Sequence, residues 1–142
     1  MRLSLLVLII LSCAARAQDW RKMYDGYPEA PLESQPKVSV VSADQNSATI
    51  RVENSTKGNL AYQQYDESDT PSLYWEEMIS GKWQGTDWPW CGTGLGSRVI
   101  PPGSHLDLVI PLKEKQNPLK VYIRLFDGEA RKASFVLLYK SK

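Results

Sequence analysis

Residues 47 to 53 read Ser-Ala-Thr-Ile-Arg-Val-Glu, and this short stretch decides the fold class. Its apolar side chains, Ala48, Ile50 and Val52, alternate with polar ones. Successive side chains of a β-strand point to opposite faces, so a period of two indicates a strand with one buried face. Two later stretches repeat this alternation, residues 106–110 and 121–126. The chain therefore predicts several strands that share one core.

Turn-forming residues separate the strands. Residues 73–79 and 82–83 flank Ser80-Gly81, which predicts a hairpin closed by a tight, glycine-containing turn. The run from Trp75 to Ile79 would also fit one turn of helix, but the turn that follows it favours a strand. No stretch has the period of an amphipathic helix. The chain thus predicts an all-β fold, an antiparallel immunoglobulin-like β-sandwich of about seven to nine strands.

The first 17 residues have the organisation of a secretory signal peptide. Arg2 precedes an apolar run from Leu3 to Leu11, and Ala15-Arg16-Ala17 fits the small residues of a cleavage site. The run is shorter than the about 20 residues that span a bilayer, so we predict no transmembrane span in the mature chain. Residues 10–13, Ile-Leu-Ser-Cys, resemble a bacterial lipobox, and a lipid anchor at Cys13 is the alternative. We expect an exported protein, periplasmic or extracellular, which is held at the envelope if Cys13 is lipidated.

Three segments follow from this interpretation: a signal peptide (1–17), an extended N-terminal arm or linker (18–36) and a β-sandwich domain (37–142). The arm contains three prolines and has no sustained hydrophobic period. Cleavage removes Arg2 and Arg16, which changes the formal charge from +1 to about −1. A chain this close to neutrality has no electrostatic reason to bind nucleic acid, and we predict no nucleic-acid partner.

Metal and cofactor sites are not expected. After cleavage the chain keeps one cysteine, Cys91, and one histidine, His105, whereas a closed zinc site needs four ligands. His105 is at an outward position of its strand, so we predict a solvent-facing side chain. The glycines at 92–96 resemble a phosphate-binding loop, but Pro101-Pro102-Gly103 prevents the helix that such a loop requires. A single mature cysteine also excludes an intrachain disulfide.

Two pairs of residues are candidates for catalysis. Cys91 and His105 would form a nucleophile and its base, but no third orienting group stands at a recognisable spacing. Glu76 and Glu77 are adjacent, so in a strand their side chains point to opposite faces and cannot act together as acid and base. The chain predicts a non-enzymatic protein, with a Cys91-dependent enzyme as an alternative.

Residues 83–96, WQGTDWPWCGTGLG, are rich in tryptophan and glycine. Exposed aromatic rings stack on sugars or contact a partner protein, whereas buried rings would close one end of a β-sandwich. We expect mainly buried rings with one or two exposed edges, and Cys91 as a small buried apolar group. Asp87 and Arg98 flank the segment and could pair across its base.

These residues define a candidate binding loop from Trp83 to Arg98. The candidate site residues are Trp75, Trp83, Trp88, Trp90, Cys91, Thr93 and Arg98. The first of them precedes the loop, in the predicted hairpin.

Asn54-Ser55-Thr56 matches the acceptor sequon for N-glycosylation. The triplet follows a predicted strand and precedes a turn centred on Lys57-Gly58. Turns after strands lie at the surface, so we expect Asn54 to be exposed. We expect a glycan at Asn54 only if the source organism glycosylates exported proteins.

Several short motifs resemble those of uncharacterised exported bacterial proteins with an immunoglobulin-like β-sandwich. The motifs are Leu73-Tyr74, Gly81-Lys82-Trp83, Trp90-Cys91-Gly92-Thr93-Gly94-Leu95 and Pro102-Gly103-Ser104. The resemblance covers about residues 38–126. Its W-C-G-T-G core is more specific than its P-G-x strand start, which many immunoglobulin-like bacterial domains share. The resemblance implies export and a β-sandwich, and it implies no reaction.

Together these features predict an exported, non-enzymatic β-sandwich with a binding or structural role in the cell envelope. An unknown protein or glycan would contact the loop from Trp83 to Arg98. Three alternatives stand beside this prediction: a carbohydrate-binding module that uses the clustered tryptophans, an inhibitor-like protein that inserts the loop into an enzyme, and a Cys91-dependent enzyme. Two exposed coplanar rings would favour the first, a rigid protruding loop the second, and an exposed thiol with a lowered pKa the third.

Overall fold

The computed structural model describes residues 32, 34–65, 70–87, 94–112, 115–127 and 133–141. All regular structure in these ranges is β-strand. The described residues contain no helix that is long and apolar enough to cross a bilayer. The strands are β1 (Lys37–Ala43), β2 (Ser47–Glu53), β3 (Leu60–Tyr65), β4 (Thr70–Pro71), β5 (Leu73–Ile79), β6 (Lys82–Asp87), β7 (Leu95–Ile100), β8 (His105–Pro111), β9 (Leu119–Asp127) and β10 (Ala133–Lys140). The predicted signal peptide and the predicted arm as far as residue 31 lie outside the described residues.

The described strands form two antiparallel sheets, one of three strands in the order β1-β2-β8 and one of seven. The prediction of an all-β, antiparallel two-sheet fold is confirmed, while its immunoglobulin-like type stays a prediction. Ten strands are described instead of seven to nine. One addition is the two-residue strand β4, in which Thr70 and Pro71 pair with Tyr65 and Gln64 of β3.

Strand β9 is the centre of the seven-stranded sheet. One of its edges pairs with β10. Its other edge pairs with β5 over Leu119–Ile123 and with β3 over Leu125–Asp127, so these two strands lie end to end beside it. Strand β6 lies outside β5, and β7 lies outside β3. Strands β6 and β7 are therefore the outermost described strands on the same side of the sheet.

The predicted hairpin is formed by β5 and β6. Ile79 pairs with Lys82, so the connection has two residues, Ser80 and Gly81. Both have positive φ angles, 51° and 77°. This is the type I′ turn, whose backbone twist matches that of the strands it joins. The structure thus confirms the strand interpretation of the run from Trp75 to Ile79.

The core lies between the two sheets. Its buried members come from β2 and β8 on one side and from β3, β5, β7, β9 and β10 on the other. The innermost side chains are Ala48, Ile50, Val52, Ile110, Val121, Ile123 and Leu125. Leu32 belongs to the same cluster and is 6% exposed, so a residue of the predicted arm packs in the core.

The expected exposure of Asn54 is wrong. Its side chain is 0% exposed, because the turn after β2 folds back and hydrogen-bonds to the turn between β7 and β8. That second turn spans Pro101 to Ser104, with Gly103 at a φ of 73° and a hydrogen bond from the Ser104 N–H to the Pro101 carbonyl. A turn packed against another turn is no longer a surface feature.

Candidate functional site

The tryptophan-rich segment is shorter as a loop than predicted. Residues up to Asp87 belong to β6 and residues from Leu95 belong to β7, so the connection between the strands is 88–94. The prediction of a loop from Trp83 to Arg98 is therefore wrong at both ends. Main-chain pairing explains the difference: β6 pairs with β5 and β7 pairs with β3 despite their glycines, because strand pairing depends on the neighbouring backbone more than on local composition.

The two strands joined by this connection, β6 and β7, have their facing ends near the middle of one side of the sheet. Asp87 pairs with Trp75, which itself pairs with Val121 of β9. Leu95 pairs with Tyr65 of β3. Both ends of the connection thus join outermost strands on one side, at the level where β3 and β5 meet. Trp88, Trp90, Cys91 and Thr93, four of the predicted site residues, lie outside the described residues.

Trp75 is buried, at 9% exposure, and belongs to the core cluster. The Nζ atom of Lys115 lies 5.0 Å from the centroid of its ring. A cation at this distance from an aromatic face is attracted by the ring quadrupole. Trp75 therefore supports the hairpin from inside the protein and is not part of an accessible surface.

Trp83 is half-buried and lies on the other face of the sheet. It pairs with Met78 across the hairpin, and this places it on the same face as Glu76 and Lys120. The Nζ atom of Lys120 lies 4.1 Å from the centroid of the Trp83 ring. The indole is thus held by a cation on one side and keeps part of its surface accessible.

A carboxylate and a phenol extend this outer-face group. The hydroxyl of Tyr122 donates a hydrogen bond of 2.9 Å to Oε2 of Glu76. The Nζ atom of Lys120 lies 3.9 Å from the same oxygen. Glu76, Lys120, Tyr122 and Trp83 form what we call the outer-face cluster. Its polar atoms are mostly shielded from solvent, since the side chains of Glu76 and Lys120 are 13% and 21% exposed.

Glu77 has a separate set of partners. Its carboxylate accepts hydrogen bonds from Nζ of Lys115 at 3.0 Å, from Asn117 at 3.4 Å and from Thr86 at 3.4 Å. The Lys115 ammonium, with smaller contributions from Asn117 and Thr86, holds the pKa of Glu77 below its ordinary value. This carboxylate therefore ties the connection between β8 and β9 to the hairpin.

The prediction that Glu76 and Glu77 point to opposite faces is confirmed. Glu76 pairs with Lys120, whereas Glu77 pairs with the core residue Leu119. Their hydrogen-bond partners have no residue in common among the described contacts. The two carboxylates consequently have no shared space in which one could act as acid and the other as base.

The remaining predicted residues lie at the surface. Arg98 is exposed on β7, and its guanidinium donates a hydrogen bond to the Ser97 carbonyl at 3.2 Å. The side chain of Asp87 is not described, so its pairing with Arg98 stays a prediction. His105 faces outward as predicted, at 49% side-chain exposure, with Nε2 3.9 Å from Asp107. Within the described ranges no group of three or more His, Cys, Asp or Glu residues could hold a metal ion.

A cleft of about 500 Å³ lies at the end of the sandwich. Its position is given by Leu60 and Asp127, which pair where β3 and β9 meet. The turn after β2 forms one wall of the cleft, and the predicted arm contributes two residues to it. The lining residues are Leu32, Ser34, Ser55, Thr56, Lys57, Gly58, Leu60 and Asp127. The cleft is thus separate from the outer-face cluster.

Reasoning from the sequence missed Lys115, Lys120 and Tyr122. The first two hold tryptophan rings, and the last is a partner of Glu76. They follow the tryptophans by about 40 positions in the chain, and only the pairing of β5 with β9 brings them together. One signal was available in β9. This strand carries Lys120 and Tyr122 on one face although both of its faces are largely buried, and buried polar side chains need partners.

Comparison with protein-family models, with curated proteins and with solved structures found no match.

Proposed function

We propose that this chain is an exported, non-enzymatic β-sandwich that binds a protein or glycan partner at the surface formed by connection 88–94 and the strands beside it. The observation that supports the proposal is the position of the connection. It joins two outermost strands on the same side of the sheet. Half-buried Trp83 of β6 lies on the outer face of the sheet, whereas exposed Arg98 of β7 pairs with the core residue Tyr62 and lies on the opposite face, so the two residues border the connection from different faces. Binding loops carried by a rigid sheet are a common arrangement in β-sandwiches.

The outer-face cluster favours binding through Trp83. Lys120 restrains the indole on one side, and Glu76 restrains Lys120. A ring held in place before binding loses little conformational freedom when a partner covers it. Tryptophan and arginine are also the residues most often found to dominate binding energy at interfaces.

A glycan is the second candidate partner. The accessible part of an indole can stack on a sugar ring. Half-buried Trp83, held on one side by Lys120, supports this variant of the proposal. The inhibitor-like and Cys91-dependent alternatives depend on residues outside the described ranges.

Export is part of the proposal. It is supported by the signal-peptide pattern of residues 1–17 and by the resemblance to exported bacterial proteins. Mass analysis of the mature N-terminus tests it. A chain that begins at Gln18 indicates cleavage after Ala17, a lipidated Cys13 indicates a lipoprotein, and an intact Met1 in the cytoplasm contradicts export.

The first test of the binding surface uses the mature protein in native buffer. The rate of thiol labelling at Cys91 is measured together with tryptophan emission from the same sample. Fast labelling and red-shifted emission would indicate an open loop that a partner can reach. Slow labelling with blue-shifted emission would indicate a packed cap, would contradict the Cys91-dependent alternative and would direct the search to other surfaces.

The second test compares surface variants in binding to an envelope extract and to a panel of polysaccharides. Trp83→Ala is expected to abolish retention of a partner that the parent protein retains, and Arg98→Ala to weaken that retention if the partner also covers the opposite face of this edge. Arg51→Ala is the matched control, because Arg51 is a partly exposed cation on the other sheet, paired with Asp107. Equal retention by all three variants would contradict this location of the site.

A further inference from the structure

The side chain of Asn54 is fully engaged inside the protein. Its Nδ2 atom donates one hydrogen bond to the Gly58 carbonyl at 2.8 Å and one to the Ile100 carbonyl at 2.7 Å. Its Oδ1 atom accepts from the Thr56 N–H at 2.9 Å and from the Thr56 hydroxyl at 2.6 Å. An amide nitrogen carries two hydrogens, so both are used.

The main chain of Asn54 adds two further bonds. Its N–H donates to the Ser104 carbonyl at 2.9 Å, and its carbonyl accepts from the Gly103 N–H at 2.8 Å. Together with the bond to Ile100, these contacts join the turn after β2 to the turn between β7 and β8. The residue therefore connects the two sheets of the sandwich at one end.

We propose that the Asn54-Ser55-Thr56 sequon has a structural role: its hydrogen bonds hold the turn after β2 against the turn between β7 and β8, and we call this set of bonds the lock. We further propose that a glycan on Asn54 and the native fold exclude each other. N-glycosylation forms a bond between Nδ2 and the anomeric carbon of an activated sugar. Nδ2 loses one hydrogen as a proton, and the diphosphate leaving group departs with the electron pair of the broken C–O bond. The hydrogen that is lost must be one of the two now donated to Gly58 and Ile100.

The available space supports the exclusion. A sugar carbon bonded to Nδ2 at about 1.5 Å and pointing along either hydrogen bond would reach well inside the about 3.3 Å that separates carbon and oxygen in a close contact. Because Asn54 is 0% exposed, the sugar also has no route to solvent without displacement of a turn. Modification would therefore have to precede folding and would then prevent it.

The sequon and the lock use the same atoms. The Thr56 hydroxyl, which defines the sequon, lies 2.6 Å from Oδ1 of Asn54 and 2.9 Å from the Gly58 carbonyl oxygen, and its single hydrogen is shared between these two acceptors. A threonine at the third position is thus explained by the folded turn alone. Thr56 and Gly58 also line the cleft, so the lock maintains one of its walls.

The test is secretion of the full chain from a host that glycosylates exported proteins. The matched control carries Asp44→Asn with Asn46→Thr, which creates a sequon in the exposed turn between β1 and β2. The expected result is a glycan at residue 44 of the control and none at Asn54 in the folded, secreted fraction of either protein, by intact mass and peptide mapping. A folded fraction with glycosylated Asn54 and an unchanged melting temperature would overturn the proposal.

A second experiment isolates the lock from glycosylation in a host that does not glycosylate. Asn54→Asp keeps an acceptor oxygen but replaces the donors by a carboxylate that faces two carbonyls, and Thr56→Val removes the hydroxyl. Each is expected to lower the folding equilibrium constant by about tenfold to a hundredfold, whereas Thr56→Ser, which keeps the hydroxyl, changes it much less. Unchanged urea midpoints for Asn54→Asp and Thr56→Val would overturn the structural role.

Discussion

Lys120 of β9 extends across β5 and places its Nζ atom 4.1 Å from the ring centroid of Trp83 on β6. One cation thus spans three adjacent strands of the sheet, because its nitrogen also lies 3.9 Å from Glu76 on β5. The contact links the centre of the seven-stranded sheet to the strand that leads into connection 88–94. It makes Lys120 the residue through which the sheet positions Trp83.

Lys120→Met tests this relationship. The methionine retains the apolar stem but removes the charge, so the attraction to the indole and the pairing with Glu76 are both lost. We expect a loss of about 0.5–2 kcal/mol in the free energy of unfolding and a change in tryptophan emission. Lys140→Met is the control, because Lys140 is the exposed cross-strand neighbour of Lys120 on β10. Equal effects of the two substitutions would mean that the contact with Trp83 contributes nothing specific.

Glu77→Gln tests the attachment of the connection between β8 and β9. The substitution keeps the shape but removes the charge that Lys115 approaches at 3.0 Å, and the side chain is 14% exposed. Loss of a charge-assisted hydrogen bond in such a place is expected to cost about 1–3 kcal/mol. Hydrogen exchange should rise at Met78, whose N–H donates to the Pro118 carbonyl at the end of that connection. Asp107→Asn, at an exposed ion pair, should have a smaller effect on the urea midpoint.

Acid should destabilise the protein partly through Glu77. Because Lys115 lowers the pKa of Glu77 in the folded state, the carboxylate contributes stability above its unfolded-state pKa of about 4.3. That contribution is lost as the pH falls through the lower folded-state pKa. Urea midpoints measured from about pH 6 to about pH 3 should therefore fall less steeply for Glu77→Gln than for the parent chain. Parallel curves would show that this carboxylate has the same pKa in both states.

Leu32→Ala tests whether the predicted arm is part of the folded domain. Leu32 is in the core cluster, and removal of a buried leucine side chain typically costs about 2–5 kcal/mol. Its position in the cleft lining adds a second readout, since the cleft should enlarge. Val109→Ala is the control, because Val109 is 67% exposed. The free energy of unfolding is measured for both variants. If Leu32→Ala lowers it no more than Val109→Ala does, the domain begins after this residue.

Local patterns predicted the strands and turns well. The alternation in β2 and β8 reflects burial of one face, which each strand shows by itself. The same alternation in β9 was misleading, because this central strand is buried on both faces. The turn at Ser80-Gly81 was recognisable because two positive φ angles favour glycine and few other residues. Such features depend on neighbours two to four positions away, and these neighbours are visible in a linear sequence.

The ends of the tryptophan-rich loop were predicted less well. Residues 84–87 and Leu95 looked like loop residues because glycines are frequent in the segment around them. Both are in strands, since β5 and β3 offer edges with which their main chains pair. The same limit applies to Asn54, whose exposure was inferred from its own turn while its burial depends on Ile100, 46 positions later.

The sequence by itself determined that this protein is built from antiparallel strands, that Glu76 and Glu77 face opposite ways, and where the tight turns fall. These properties follow from a side-chain period of two and from local backbone preferences. The tertiary structure alone decided that Lys120 meets Trp83 and that Asn54 becomes a buried lock. Both contacts require a particular strand register and a particular packing of one turn on another, and these arise from the summed burial of the whole core and not from any single stretch of the chain.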